Sequence, residues 1–205
     1  MSQYPPDLWT WQKCGESIRS LAGRSGFSDG DCLNVLGYEL DLSNGVIRDT
    51  ASGDVLDDSV RDGRQVLNTL FYVLSAYAAK PETQPTGKLI SSKQFRGARF
   101  TECVMTRERY RVAKEFKDAI ILSNAASALG GSRVEFQYGD IAIELKALPL
   151  VPITIVLTLD DGEFPADARL FYDETVEYYF DSEQTYFLTS LTISRLIQLS
   201  GLLNP

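Results

Sequence analysis

The chain of 205 residues contains no histidine. That absence removes every mechanism needing an imidazole base or ligand, among them Ser-His-Asp and Cys-His hydrolysis, HExxH metalloproteolysis and histidine-ligated haem. Cysteine is scarce. Cys14, Cys32 and Cys103 are odd in number, far apart and form no CxxC, so zinc, iron–sulfur and thioredoxin-type sites have no ligand spacing to use. Three reduced thiols fit a cytoplasmic protein. Long apolar runs are lacking too. Val66 to Ala79 is broken by Asn68, Thr69 and Ser75, and Leu145 to Leu159 by Lys146 and two prolines. Both fall short of the roughly 20 residues of a membrane span. The opening Met1-Ser2-Gln3-Tyr4-Pro5-Pro6-Asp7 has neither the basic nor the apolar region of a secretory signal. Excess positive charge is missing as well: 20 Lys+Arg face 28 Asp+Glu, a net −8. Neither nucleic acid nor membrane is an expected partner.

What remains is an ordinary globular composition, 44% hydrophobic and 23% charged. A single α+β domain over residues 1–205 is expected, divisible into a helix–hairpin–helix part, 1–80, and a helix-plus-meander part, 81–205. No internal repeat stands out. Gly23 to Asp31 and Lys80 to Gly97 carry turn chemistry and read as loops. Asp7 to Leu21 predicts a helix with Leu8, Trp11, Ile18 and Leu21 on one face. Cys32 to Arg48 predicts a strand pair turning at Asn44-Gly45, with Leu40, Leu42 and Ile47 on the buried side. Ser59 to Ala79, apolar nearly all round, predicts a central helix, and Arg107 to Leu129 a third, with Tyr110, Ala113, Phe116, Ile120, Ile121 and Ala128 at helical spacing and Gly130-Gly131 as its stop.

The period then changes from 3.6 to 2. Val134, Phe136 and Tyr138 alternate with polar residues, Gly139-Asp140 makes a two-residue turn, and Ile141, Ile143 and Leu145 alternate again. This pairs Phe136 with Ile143 and Glu135 with Glu144. Ile153 to Leu159 and Ala168 to Tyr172 complete the strands. Ser182 caps a last helix closed by Gly201. The expected fold is an antiparallel four-stranded meander packed against helices, with an N-terminal helix and β-hairpin.

From about Thr83 onward the chain resembles a bacterial and archaeal family catalogued as domain of unknown function 3786. The carrying residues are Pro85-Thr86-Gly87, Leu148-Pro149 with Pro152, Asp161-Gly162-Glu163-Phe164-Pro165, Leu170-Phe171-Tyr172-Asp173 and Asp181-Ser182-Glu183. The N-terminal half fits more loosely. Members often carry an aromatic residue before the Asp-x-Glu-Phe-Pro segment, where this chain has Thr158-Leu159, and some add a cysteine-rich segment that this chain lacks. The resemblance implies a prokaryotic, often anaerobic, cytoplasmic protein without an established activity.

Four features bear on chemistry. Asp160, Asp161 and Glu163, joined by Asp140 from the same edge of the sheet, form an oxygen-rich set of the kind that holds Ca²⁺ or Mg²⁺. The plainer reading is a solvated turn bent at Gly162, with Phe164 and Pro165 packing it down. Glu135 opposite Glu144 could serve as acid and base, but Arg133 and Lys146, their diagonal neighbours, would neutralise both. Gly87-Lys88 fails the GxxxxGK[ST] pattern and reads as a turn, with Gly87 at positive φ. The C-terminal aromatics include Tyr178 and Tyr179, which cannot both point inward.

Residues 88–117 carry nine Lys+Arg against three Glu, and 160–183 nine acids against Arg169. Opposite stretches of that size are expected to face one another, within the chain or across a homo-oligomer. The sequence thus points to a non-catalytic accessory or binding domain without a cofactor. It would hold a protein partner or small ligand through a surface that includes Tyr178, Tyr179, Lys88, Arg96 and Arg99. The alternative is a carboxylate- or metal-dependent hydrolase using the Asp160 turn.

Overall fold

The computed structural model describes residues 8–203, apart from the side chains of 98–101, and divides the chain into two compact units, Met1–Thr83 and Gln84–Pro205. In the first, α1 (Trp11–Arg19) packs on α2 (Arg61–Ala78). Ile18 and Leu21 are fully buried as their spacing requires, whereas Leu8 precedes the helix and is exposed. In α2, Leu70, Phe71, Val73, Leu74 and Tyr77 are all buried, so its apolar residues spread too far round the cylinder for a surface helix. The Gly23 to Asp31 loop is tied to its end: the Arg24 guanidinium donates to Ala78 O and the Tyr77 hydroxyl to Ser25 O.

The expected strand pair is three strands: β1 (Cys32–Val35), β2 (Tyr38–Asp41) and β3 (Ile47–Asp49), antiparallel in that order. The additional turn is Leu36-Gly37, with φ of 53° and 73°. Both lie in the left-handed region of a tight hairpin turn, which Leu seldom adopts. No Asn-Gly or Asp-Gly marks it, so the pattern did not reveal it. The Asn44-Gly45 turn is present, and Leu40, Leu42 and Ile47 are buried. Its loop is then repeated, although no repeat was evident in the residues. Asp41 N–H bonds Val46 O, and Asp41 O receives Gly45 N–H; eight residues on, Asp49 N–H bonds Asp54 O, and Asp49 O receives Gly53 N–H. In each loop the first Asp carboxylate accepts the N–H two residues later, that of Ser43 or Ala51.

The second unit is built on a five-stranded antiparallel sheet ordered β4-β8-β7-β6-β5. Its meander is β5 (Ser132–Arg133), β6 (Ile141–Leu148), β7 (Val151–Thr158) and β8 (Asp167–Asp173); β4 (Leu89–Ser91) adds an edge beside β8. The segment read as a plain loop therefore contains a strand, because a three-residue edge depends on a partner distant in sequence. One sheet face, with Leu145, Ile153, Ile155, Leu170 and Tyr172, is buried. The helices α3 (Ala98–Glu115), α4 (Ala119–Ser127) and α6 (Ser182–Leu203) pack with the strands, and a single turn, α5 (Val176–Tyr179), leads from β8 towards α6.

The third expected helix is two. The chain leaves helical geometry at Phe116, and the Asp118 side chain accepts the Ile120 N–H to begin α4. Restarting in a new direction leaves Tyr110 and Ile120 exposed and Phe116 buried. At α6 the cap is Asp181 and not Ser182: Asp181 Oδ1 accepts Gln184 N–H while Gln184 Oε1 accepts Asp181 N–H. Gly201 does not close that helix, which runs to Leu203. Its buried threonines satisfy themselves, Thr189 donating to Thr185 O and Thr192 to Leu188 O. Among the described residues no helix is long and apolar enough to cross a membrane.

Candidate functional site

The largest departure from the sequence pattern creates the site. Val134, Phe136 and Tyr138 were expected to pair along β6. Instead Ser132 faces Glu144 and Arg133 faces Ile143, and the ladder stops. The register is displaced by three residues, so Glu135 does not stand opposite Glu144. Residues 134–140 cross the sheet face opposite the buried one. There Phe136 stacks on Phe171 with ring centroids 5.1 Å apart, and the Arg169 guanidinium lies 4.7 Å from the Tyr138 ring centroid. Gly139 permits the crossing. Its φ is +84°, and a Cβ there would sit 2.6 Å from a Val156 methyl. Aromatic stacking has replaced the alternating ladder that period 2 suggested.

Beside this crossing a cleft of about 400 Å³ opens on the sheet. Its floor follows from the register. Glu144 is opposite Thr154, Lys146 opposite Pro152, and Leu89 opposite Asp173. Val134, Glu135 and Phe136 form one wall, Gln84, Pro85 and Gly87 another, and the β6–β7 turn adds Pro149 and Leu150.

Asp173 holds the second wall in place. Its carboxylate accepts the Gly87 N–H at 2.6 Å, the Thr175 N–H at 3.0 Å and the Thr175 hydroxyl at 2.7 Å. Burial pushes this carboxyl up, but the hydrogen bonds from Thr175 and from the backbone at Thr86 and Gly87 outweigh it and hold it below the ordinary carboxylate range. Gly87 takes the expected positive φ, 79°. The charged groups on the cleft floor and its first wall stand differently. Glu135, Glu144 and Lys146 form no ion pair among the described residues, so the expected neutralisation by Arg133 and Lys146 does not occur. Thr154 lies on the cleft floor, is only 2% exposed, and makes no side-chain hydrogen bond among the described residues.

Glu135, Glu144, Lys146 and Gly87 line the cleft; the other residues singled out from the sequence lie elsewhere. Asp140 does reach the β7–β8 turn, its carboxylate accepting the Leu159 N–H at 2.7 Å. Asp160 accepts the Gly162 N–H, and Asp161 those of Glu163 and Phe164. The Phe164 N–H, then that of Glu163, lower the Asp161 pKa. These carboxylates shape a turn, and among the described residues no group of three acidic or thiol side chains is placed to hold a metal ion. Phe164 does not pack the turn down; it is 68% exposed.

Lys88 pairs with Glu174 at 2.7 Å, and the Arg96 N–H meets the Glu177 carboxylate at 2.6 Å. Tyr178 is exposed, whereas Tyr179 is buried and belongs to the interior. The side chain of Arg99 lies outside the described residues. Lys88, Arg96, Tyr178 and Tyr179 do not line the cleft. Of the polar residues on the cleft floor, the sequence brings out Glu144 and Lys146 as members of a neutralised carboxylate pair; Thr154 gives no signal, because a single threonine in an apolar strand reads as ordinary alternation.

The class defined by these features is an α+β chain with a five-stranded antiparallel sheet that has one face buried and a cleft on the other. A family model described as Domain of unknown function (DUF3786) matches residues 24–195, and the chain belongs to that family. The match reaches well into the first unit. Comparison with curated proteins and with solved structures finds no match.

Proposed function

We propose that this is a cytoplasmic binding domain that holds a ligand in the sheet-face cleft without carrying out chemistry on it. One observation carries the reading. Three of the sequence motifs that mark the family resemblance, far apart in the chain, contribute residues to this one cleft: Pro85 and Gly87, Pro149 and Pro152, and Asp173. A packing role alone does not call for such convergence around an opening, whereas a binding site does. The Thr154 hydroxyl and the unpaired Glu144 supply the few polar groups that orient a ligand among apolar walls. Three free cysteines support the cytoplasmic placement.

The test is a thermal-shift screen of a metabolite library on the full chain. A ligand at a hundredfold excess over its Kd stabilises by about 2.7 kcal/mol. The shift should vanish in Lys146→Trp, which places a strand-compatible ring over the cleft at an exposed position. A shift that survives this substitution, or turnover of a library compound by the wild-type chain, would overturn the reading.

A further inference from the structure

We propose that the cleft takes a cationic group, a primary ammonium or guanidinium carried on a short aliphatic stem. The inference rests on the binding-domain reading and adds the chemical class of the ligand. Glu144 is half-buried on the floor and Glu135 lies on the adjacent wall, neither in an ion pair among the described residues. With Asp173 they set three carboxylates against the single ammonium of Lys146, a local balance of −2. A concave site with apolar walls concentrates that field on whatever enters. The second, independent sign of a ligand is Thr154. Its side chain is buried to within 2% on the cleft floor, with no hydrogen-bond partner among the described residues, and it is placed to accept from an N–H donor beside Glu144. The apolar lining, Leu89, Val134, Phe136, Leu150 and Pro152, suits a methylene stem. The same head group can arrive on a free amine or on the side chain of a peptide, and the cleft recognises it in either form.

Calorimetric titration of the full chain tests this with five probes: cadaverine, agmatine, an end-blocked Gly-Lys-Gly peptide, the neutral 1,5-pentanediol and the anionic glutarate. Binding of at least one of the first three, and of neither of the last two, is expected. Cadaverine or agmatine without the peptide identifies a free amine as the source, and the peptide without them a partner segment. Glu144→Gln should weaken binding at least tenfold and Thr154→Val severalfold, with unchanged unfolding midpoints. Lys146→Met should tighten it severalfold by removing the like charge. Binding of glutarate or pentanediol alone, or a loss of affinity in Lys146→Met, overturns the cationic assignment and leaves the binding-domain reading standing. If no probe binds, the cationic inference fails. The binding-domain reading fails with it only if the library screen also yields no ligand that Lys146→Trp displaces.

Discussion

Asp173 shows how one side chain can organise a wall. It is 2% exposed, yet its carboxylate is charged, because N–H and O–H donors from Gly87 and Thr175 replace the water it loses. Substitution to Asn removes the charge that those donors address and should cost about 2 kcal/mol at neutral pH. The pH dependence has a definite sign. The folded pKa is depressed, so the stabilisation is fully present above the unfolded value, about 3.9, and is lost as pH falls through the folded one. Urea unfolding of wild type and Asp173→Asn at pH 7 and pH 3 should show the gap shrinking in acid. A gap of constant size would mean that shape, not charge, holds the loop.

At the scale of elements, the informative places are those where one element gives way to another. Asp118 separates α3 from α4 by accepting the Ile120 N–H. Asp118→Ala should therefore cost about 1 kcal/mol in urea unfolding, with the sheet unaffected. The crossing of residues 134–140 is held by ring stacking at Phe136 and by the close approach of Gly139 to Val156. A Cβ at Gly139 meets both a left-handed backbone and a methyl, so Gly139→Ala should cost about 1–2 kcal/mol. It should also weaken the nuclear Overhauser contacts between the Phe136 and Phe171 rings. Intact contacts would show that the segment tolerates a displaced backbone.

Across the whole chain, charge is less organised than its segregation suggested. Among the described residues a single ion pair joins the basic stretch to the acidic one, Lys88 with Glu174, whereas Arg109 and Arg111 pair with Glu102 and Glu108 of their own helix. The Lys88–Glu174 pair is exposed, and a pair of that kind contributes about 0–1 kcal/mol, while a net charge of −8 opposes compaction. Raising NaCl from about 0.05 to 1 M, where the Debye length falls to about 3 Å, should leave the unfolding midpoint level or raise it. A clear fall would restore the picture of two stretches held together by charge.

Helices α1, α2 and α6, strands β6 to β8 and the buried set around Leu40, Ile143 and Ile155 were legible in the residues. In each, a local period of 3.6 or 2 coincides with burial, and hydrophobicity alone carries that signal. The exclusions were legible for the same reason, since a missing histidine is missing in any fold. Four things were not: the Leu36-Gly37 turn, the edge strand β4, the division of α3 from α4, and the crossing at Phe136. The division of α3 from α4 rests on a local cap at Asp118 that the continuous apolar spacing around it hides; the other three depend on contacts with residues far along the chain or on a left-handed backbone that surrounding packing imposes. The cleft inherits that limit. Its two walls come from segments about fifty residues apart in sequence, and Thr154 and Glu144 acquire meaning only once β5 ends early and leaves the sheet face beside them open. Local periodicity determined which residues are inside; tertiary packing decided which polar ones were left without a partner.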